Sequence, residues 1–479
     1  MPNLKLLSND DIESIHVASL EVLEKTGITV NNSQATQILA NVGCKVESNI
    51  VTIPSSVIDE FLGKAPESFK LYTRDGLESH IVGGDNVIFN PGSSAIYITD
   101  SDSGEIRKAV TRDMVNLVQL VDNLDHIHAQ STAVVPTDVP GDISEWYRLY
   151  LILKNSTKPI VTGAFSKDGL LTMKRILEIV SGGSENLAKE PKAIFDCCPT
   201  SPLIWGDVST QNLIDCATAG IPAEIVSAPQ MGATSTVTIA GTLVQSNVEF
   251  LTGAVISQII NPGTPIIYGG CPAAFDMRTT SIRLGAVEAM MVASATAELG
   301  KNYGIPTHAY LGLSDSKTLD AQSGFEATLS VTIAALSRIN VVSGAGMLTA
   351  VNCQSLEKLV FDNEICGTAL RLIEGIRVDS TTLASDLIMK VGAGGHYLAE
   401  KHTRENLRKE RLIPTDILSR ESSDSWKKSG AKETRVRAKE IVDTKLRNHI
   451  TSPLDEQIDG QLEDYLKDIV AKKGHSFTF

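Results

Sequence analysis

The sequence predicts an α/β protein: a TIM (β/α)8 barrel with an N-terminal helical extension and a C-terminal charged helical tail. Three observations carry that prediction. Between residues 86 and 376, eight short β-branched runs alternate with eight longer amphipathic stretches, a strand followed by a helix each time. Four strand run-ins, NSTKPIV, AGIPAEIV, NPGTPIIY and YGIPTHAY, carry a proline, while a fifth, LDHIHAQ, does not. Proline at a strand's first residue removes no ladder hydrogen bond. No GxGxxG follows the first strand, so the doubly wound open sheet, the alternative, lacks its usual phosphate-binding turn.

The elements follow in order. Residues 1–85 read as a helical extension with a short β patch, packing on the barrel. Asn9 is placed as the cap of a helix over 10–25, with Ile12, Ile15, Val17, Leu20, Val22 and Leu23 as its apolar positions. A second helix spans 33–42 and stops at Gly43, and Pro54 opens a third over 55–62. The barrel occupies 86–376, with strands expected at 95–99, 127–133, 159–164, 193–197, 223–227, 265–268, 306–310 and 339–343. Its helices are expected at 112–124, 143–155, 169–181, 210–219, 234–260, 282–303, 324–338 and 356–375. Residues 377–479 carry dense mixed charge, as in ENLRKERLIPTDILSR, and read as solvated helices that wrap the barrel or reach a partner.

Composition bounds the function. Of 479 residues, 42% are hydrophobic and 21% charged, which is ordinary for a folded protein and excludes wholesale disorder. A net charge of −14 repels phosphates and argues against nucleic acid as the main partner. The reading finds no apolar run of the ~18 residues a membrane span needs. The acidic N-terminus lacks a signal peptide's basic start, so a cytoplasmic location is expected. Seven scattered cysteines form no CxxC pair, which argues against a disulfide framework or a structural zinc site.

In a (β/α)8 barrel the chemistry lies at the C-terminal strand ends. Phe89, Tyr97, Phe165, Trp205, Tyr268, Phe275 and Tyr310 fall on that rim in a chain only 5% aromatic. Aromatic faces suit a quaternary ammonium, which has no hydrogen to donate; equally, such rings fill cores. The loop after strand seven brings Asp315, Lys317 and Asp320, either a reactive set or a brace. The pair His126 and His128 sits at a strand's start rather than its end, His396 and His402 are six apart, and no metal site is expected. Cys197 and Cys198 read as buried thiols rather than nucleophiles. Gly344–Gly346 and Gly392–Gly395 are weak phosphate signals without the rest of a nucleotide motif.

Several phrases resemble one known family: FNPGSSAIYITDSDSGEIRKAVTRDMVNL, SDSKTLDAQSGFEA, VVSGAGML, LVFDNEICGTALRLIEGI and GAGGHYLAEKHTREN. They resemble the trimethylamine methyltransferase (MttB) superfamily over almost the whole chain. That resemblance implies a TIM barrel and transfer of a methyl group from a methylated amine to the Co(I) corrinoid (cobalamin) of a separate partner protein. Trimethylamine members carry pyrrolysine, which is absent here, so the chain looks like the non-pyrrolysine branch and its glycine betaine:corrinoid methyltransferases. The expected substrate is a quaternary amine, glycine betaine first, with proline betaine and carnitine as alternatives. No tightly bound cofactor is expected, and a homo-oligomer is. From rim position, Tyr97, Trp205, Tyr268, Phe275 and Tyr310 are expected to cage the ammonium head. Arg278 is expected to clamp a carboxylate, with Gln230 and His308 as supporting donors. His308, Asp315 and Lys317 are the candidate catalytic residues. A barrel lyase or hydrolase using Lys317 or His308, or a non-catalytic betaine-binding protein, are the competing readings.

Overall fold

The computed structural model describes residues 2–476. The protein is a mixed α/β structure. Eight parallel strands form its centre: β1 (Ile88–Pro91), β2 (Gln130–Ser131), β3 (Ile160–Gly163), β4 (Ala193–Cys197), β5 (Ala223–Ser227), β6 (Ile266–Gly270), β7 (His308–Tyr310) and β8 (Val341–Ala345). Strands β2 to β6 pair in sequence order, and β7, β8 and β1 form a second parallel sheet. The two sheets meet at both edges. Tyr268 bridges Thr307 in parallel, and the backbone N–H groups of His128 and Ala129 donate to Phe89 O.

The first strand departs from the sequence reading. It lies at Ile88–Pro91, not at 95–99. Within the expected segment, Tyr97–Thr99 joins a different sheet, between Cys353–Gln354 and Ile106–Lys108. Strand β2 is shorter than the expected 127–133, and β4 and β5 match the expected bounds. All eight expected helices are present with ends shifted by a few residues, for example Thr111–Asp122 and Ala321–Leu336.

Strand alternation gives the central strands two faces. On one, Ile88, Ala129, Val161, Ile194, Ile267 and Val341 converge in a small core, closed from below by Phe69, Leu71 and Val82. Those three belong to the hairpin Ser68–Tyr72/Glu78–Gly83, which falls in the segment where a short β patch is expected. The other face packs against the helices in the main core.

The N-terminal segment begins with helix Asn9–Lys25, capped by Ser8 rather than Asn9: Ser8 and Asp11 form a reciprocal capping box. This helix packs on the long helix Ile239–Ile260. Strand Ile28–Val30 pairs in parallel with Ile204–Trp205, tying the extension to the central unit. Helix Ile239–Ile260 is long and apolar enough to cross a membrane by length and composition, contrary to the sequence reading. It is instead largely buried, and its Glu249 accepts from Ser201 Oγ (2.8 Å), Leu203 N (3.0 Å) and Ser227 Oγ. At the other end, helix Thr434–Arg447 packs against Leu356–Glu374, and Glu456–Lys472 against Lys167–Ser181.

Candidate active site

The period of two that buries Ile194, Ile267 and Val341 also decides what faces the C-terminal mouth. Two residues beyond Ile194, Asp196 takes the convergent face, and its register partner on β5 is Glu224. Two beyond Ile88 and Val341 come Asn90 and Ser343. His308 pairs with Val341 and Tyr310 with Ser343. Six polar side chains therefore gather on the convergent face beside and above the apolar floor.

They are mutually engaged. Tyr310 Oη donates to Asp196 Oδ2 at 3.1 Å and lies 2.8 Å from Ser93 Oγ. His308 Nε2 lies 3.1 Å from Ser343 Oγ, which donates to Asn90 Oδ1 at 3.0 Å. His308 Nδ1 is 2.6 Å from Glu224 Oε1, off hydrogen-bond alignment, and the buried Asp196 and Glu224 carboxyls lie within hydrogen-bond reach of each other. The His308 and Tyr310 rings meet edge to face at 5.0 Å.

Burial dominates the electrostatics. It pushes the Asp196 carboxyl well above the usual carboxylate range, and the neighbouring Glu224 adds to the rise. Glu224 is likewise raised by burial. His308 is lowered to about 4, burial outweighing the pull of Asp196. Burial thus favours the uncharged form of both carboxyls and of the imidazole in the free site.

Above this layer opens a cavity of about 650 Å³. Asp196 and Tyr310 form its floor, with Ser93, Ser94, Phe165 and Cys198 among its walls. A larger groove of about 970 Å³ lies among the C-terminal helices and includes none of these residues. Among the described residues no group of three or more His, Cys, Asp or Glu is placed to hold a metal. His128 is committed elsewhere: its Nδ1 accepts from Phe89 N at 3.0 Å.

Of the residues singled out from sequence, Tyr310 lines the cavity and His308 supports it from beneath. Phe165, a rim aromatic of the sequence reading, also lines the cavity, whereas the aromatics expected to join Tyr310 in the cage lie elsewhere. Tyr268 is the register partner of Ile225 and takes the helical face. It stacks on Phe250 with centroids 3.8 Å apart and donates to Asn247 Oδ1. Trp205 is fully buried, donates to Glu249 O at 3.0 Å and presses on Gly253, where a Cβ would sit 2.4 Å from its ring. Tyr97 stands half-exposed on the separate Tyr97–Thr99 sheet. Gln230 and Phe275 belong to a small three-stranded sheet beyond β5 and β6. On the turn of that sheet, the Arg278 side chain is 89% exposed and paired with Asp276 at 3.0 Å. None of these six lines the cavity, so neither the expected cage nor the expected clamp forms there.

Asp315 and Lys317 brace a loop. Asp315 accepts from Leu284 N (3.2 Å) and Gly285 N (3.1 Å), and Lys317 Nζ donates to Asp315 O at 2.6 Å. Glu224 escaped the sequence reading altogether. Its signal was a lone carboxylate inside the apolar run AEIVS, in register with the inward Ile267.

Comparison with known proteins fits this arrangement. The model of the family described as Trimethylamine methyltransferase (MTTB) matches residues 1–475. The chain is 34% identical over 468 residues to a glycine betaine methyltransferase of Desulfitobacterium hafniense (strain Y51), covering 97% of each chain. It is 31% identical to the trimethylamine methyltransferase MttB of D. hafniense (strain DSM 10664 / DCB-2), covering 96% of this chain and 93% of that one. The Methanosarcina barkeri monomethylamine methyltransferase MtmB shares the fold, with a TM-score of 0.55 at 12% identity over 94% of this chain and 89% of that one. With its family matched from end to end and such relatives along nearly its full length, this chain belongs to the trimethylamine methyltransferase (MTTB) family of methyltransferases.

Proposed function

We propose that this protein moves a methyl group from a quaternary amine, glycine betaine first, to the Co(I) corrinoid of a partner protein, leaving dimethylglycine. One observation carries the reading. Asp196 lines the floor of a cavity flanked by the Tyr310 and Phe165 rings, and the buried Glu224 carboxyl stands beside it on the next strand. A carboxyl pair and aromatic faces attract a trimethylammonium head that cannot donate a hydrogen bond. The named relative that acts on glycine betaine supports the choice of substrate; proline betaine and carnitine are the alternatives.

The chemistry asks little acid–base work of the chain. The methyl carbon leaves nitrogen, the bonding pair stays on nitrogen, and a neutral tertiary amine departs. No general acid is needed. An unprotonated tertiary amine would instead have to leave as an amide anion. Asp196, Tyr310 and Phe165 desolvate and aim the head so that one methyl points out of the mouth. His308, held through Ser343 and Asn90, fixes the floor from below. Lys317, bound to a backbone carbonyl outside the cavity, gives a Schiff-base lyase no support.

The same reading takes the eight parallel strands as a closed TIM (β/α)8 barrel at 86–376, flanked by an extension at 1–85 and a helical segment at 377–479. The joins at both sheet edges support closure. It also takes the enzyme as cytoplasmic, with no tightly bound cofactor, and as a homo-oligomer. The test is methylation of Co(I) cobalamin followed by absorbance, with glycine betaine, proline betaine, carnitine, choline and trimethylamine in parallel. Methylated product with dimethylglycine is expected from glycine betaine. Turnover of trimethylamine alone would overturn the proposal.

A further inference from the structure

Helix Gly141–Asn155 sends one guanidinium toward the site, and nothing in the chemistry above uses it. Arg148 is fully buried. Its Nη1 donates to Thr132 O at 2.8 Å and to Ser94 Oγ at 3.3 Å, and its Nε to Ser144 O at 3.3 Å. Its Nη2 is buried with no hydrogen-bond partner. The nearby Glu145 is occupied elsewhere, accepting from Phe165 N (2.7 Å), Ser166 N (3.1 Å) and Ser166 Oγ (2.5 Å). A buried cation with an open donor is costly unless something pairs with it.

Its position says what that something is. The two side chains that screen Arg148, Ser94 and Phe165, both line the cavity. Arg148 Cζ lies 4.8 Å over the Phe165 ring, which is 57% exposed. Ser94 follows directly on Ser93, whose Oγ is 2.8 Å from Tyr310 Oη, itself on Asp196. The cavity therefore has a polarity. Carboxyls and a phenol floor one end, and a guanidinium backs the other. The two ends are linked by the adjacent residues Ser93 and Ser94.

We propose that Arg148 is the specificity-determining residue of the site, receiving the carboxylate of a zwitterionic quaternary amine whose ammonium head sits over Asp196 and Tyr310. In betaines of the glycine type one methylene separates the two charges, so one molecule presents both to a cavity of this polarity. Trimethylamine and choline have no group for Arg148 to bind. A fork of N–H donors is the group that suits a planar carboxylate. This inference rests on the quaternary-amine reading of the same cavity.

Calorimetric titration of the full chain with glycine betaine and with choline tests it, in wild type, Arg148→Met and Arg148→Lys. Wild type should bind betaine more tightly. Arg148→Met should weaken betaine roughly 10- to 100-fold, the size of a lost charged hydrogen bond, and leave choline within about twofold. Arg148→Lys, which keeps the charge and loses the fork, should fall between, and it carries the test if the methionine variant does not fold. An equal loss for both ligands would make Arg148 a structural brace and overturn the proposal. So would an unchanged ratio, or a wild type that prefers choline. A wild type that binds no quaternary amine would instead sink the functional reading itself, before any variant is measured.

Discussion

Asp196 and Glu224 occupy paired positions on neighbouring strands, and their raised affinity for protons has a consequence for binding. A permanent cation placed over them stabilises the ionised carboxylate and lowers its pKa, so binding expels a proton. Affinity for glycine betaine should then rise with pH until the free carboxyls ionise by themselves. Calorimetry in buffers of different ionisation enthalpy should detect the released proton, and Asp196→Asn should remove the slope. A flat profile in wild type would show that the pair is not the cation's partner. Glu224 adds a stability prediction. Its pKa is higher folded than unfolded, so the unfolded chain binds fewer protons above about pH 4, and folding weakens as pH rises toward the folded value. Glu224→Gln should therefore raise the melting temperature at pH 8 while lowering turnover. A lower melting temperature would show that the Glu224–His308 contact stabilises the fold. At this scale the sequence was half legible. Tyr310 and His308 were found because they end a recognisable strand. Tyr268 was misplaced because its rim position was read without its parity: Ile267 points inward, so its neighbour must point out. Glu224 was passed over as one charge in an apolar run.

Helix Leu356–Glu374 shows how an element positions the mouth without touching substrate. Lys358 and Asp362, one turn apart and both fully buried, pair at 2.5 Å. Lys358 Nζ also holds Gly312 O at 2.9 Å, and Asp362 Oδ2 accepts from Gly346 N at 2.7 Å. The pair thus clips the loops after β7 and β8 to one helix. Gly346 requires its φ of +83° and has no room for a side chain, since a Cβ would meet Gln354 Oε1 at 2.4 Å. Lys358→Met leaves a buried carboxylate unpaired and should cost about 3–5 kcal/mol. Lys358→Met combined with Asp362→Leu should recover much of that loss in thermal melts. Equal destabilisation by the single and the double variant would locate the effect in packing rather than charge. Legibility at this scale followed length. Helices of twelve or more residues expose a period that composition can show, and all eight in the central unit were anticipated. The first strand was not, because Pro91 breaks its pattern and the β-branched run at 95–99 imitates it. The three-residue strands of the N-terminal segment are too short to display any period.

Over the whole molecule, exposed apolar side chains concentrate in one region. Between residues 376 and 413 stand Ile376 at 90% exposure, Leu398 at 83% and Met389 at 72%, with Val378, Leu383 and Ile413 more than half exposed. A region this apolar on a chain of charge −14 is more than the scattered hydrophobes of an ordinary surface. The central helices already have partners, and the later helices Thr434–Arg447 and Glu456–Lys472 turn buried residues, Ala438, Val442, Leu462 and Leu466, onto the rest of the chain. Among the described residues, 376–413 carries the longest run of exposed apolar side chains. A second copy of the chain is the occupant that the homo-oligomer reading requires, and it would bury this stretch beside the candidate site's own helix Leu356–Glu374. Light scattering should therefore return a mass that is a multiple of 51.4 kDa. Ile376→Asp with Leu398→Asp should shift it toward one chain at micromolar protein, with melting little changed if each chain folds by itself. A wild type that scatters as a single chain would remove the oligomer. A stable oligomer untouched by both aspartates would place its interface on another face, and the 376–413 stretch would then be open to the corrinoid-bearing partner, a contact that the double variant would report as lost methyl transfer to that protein with transfer to free Co(I) cobalamin intact.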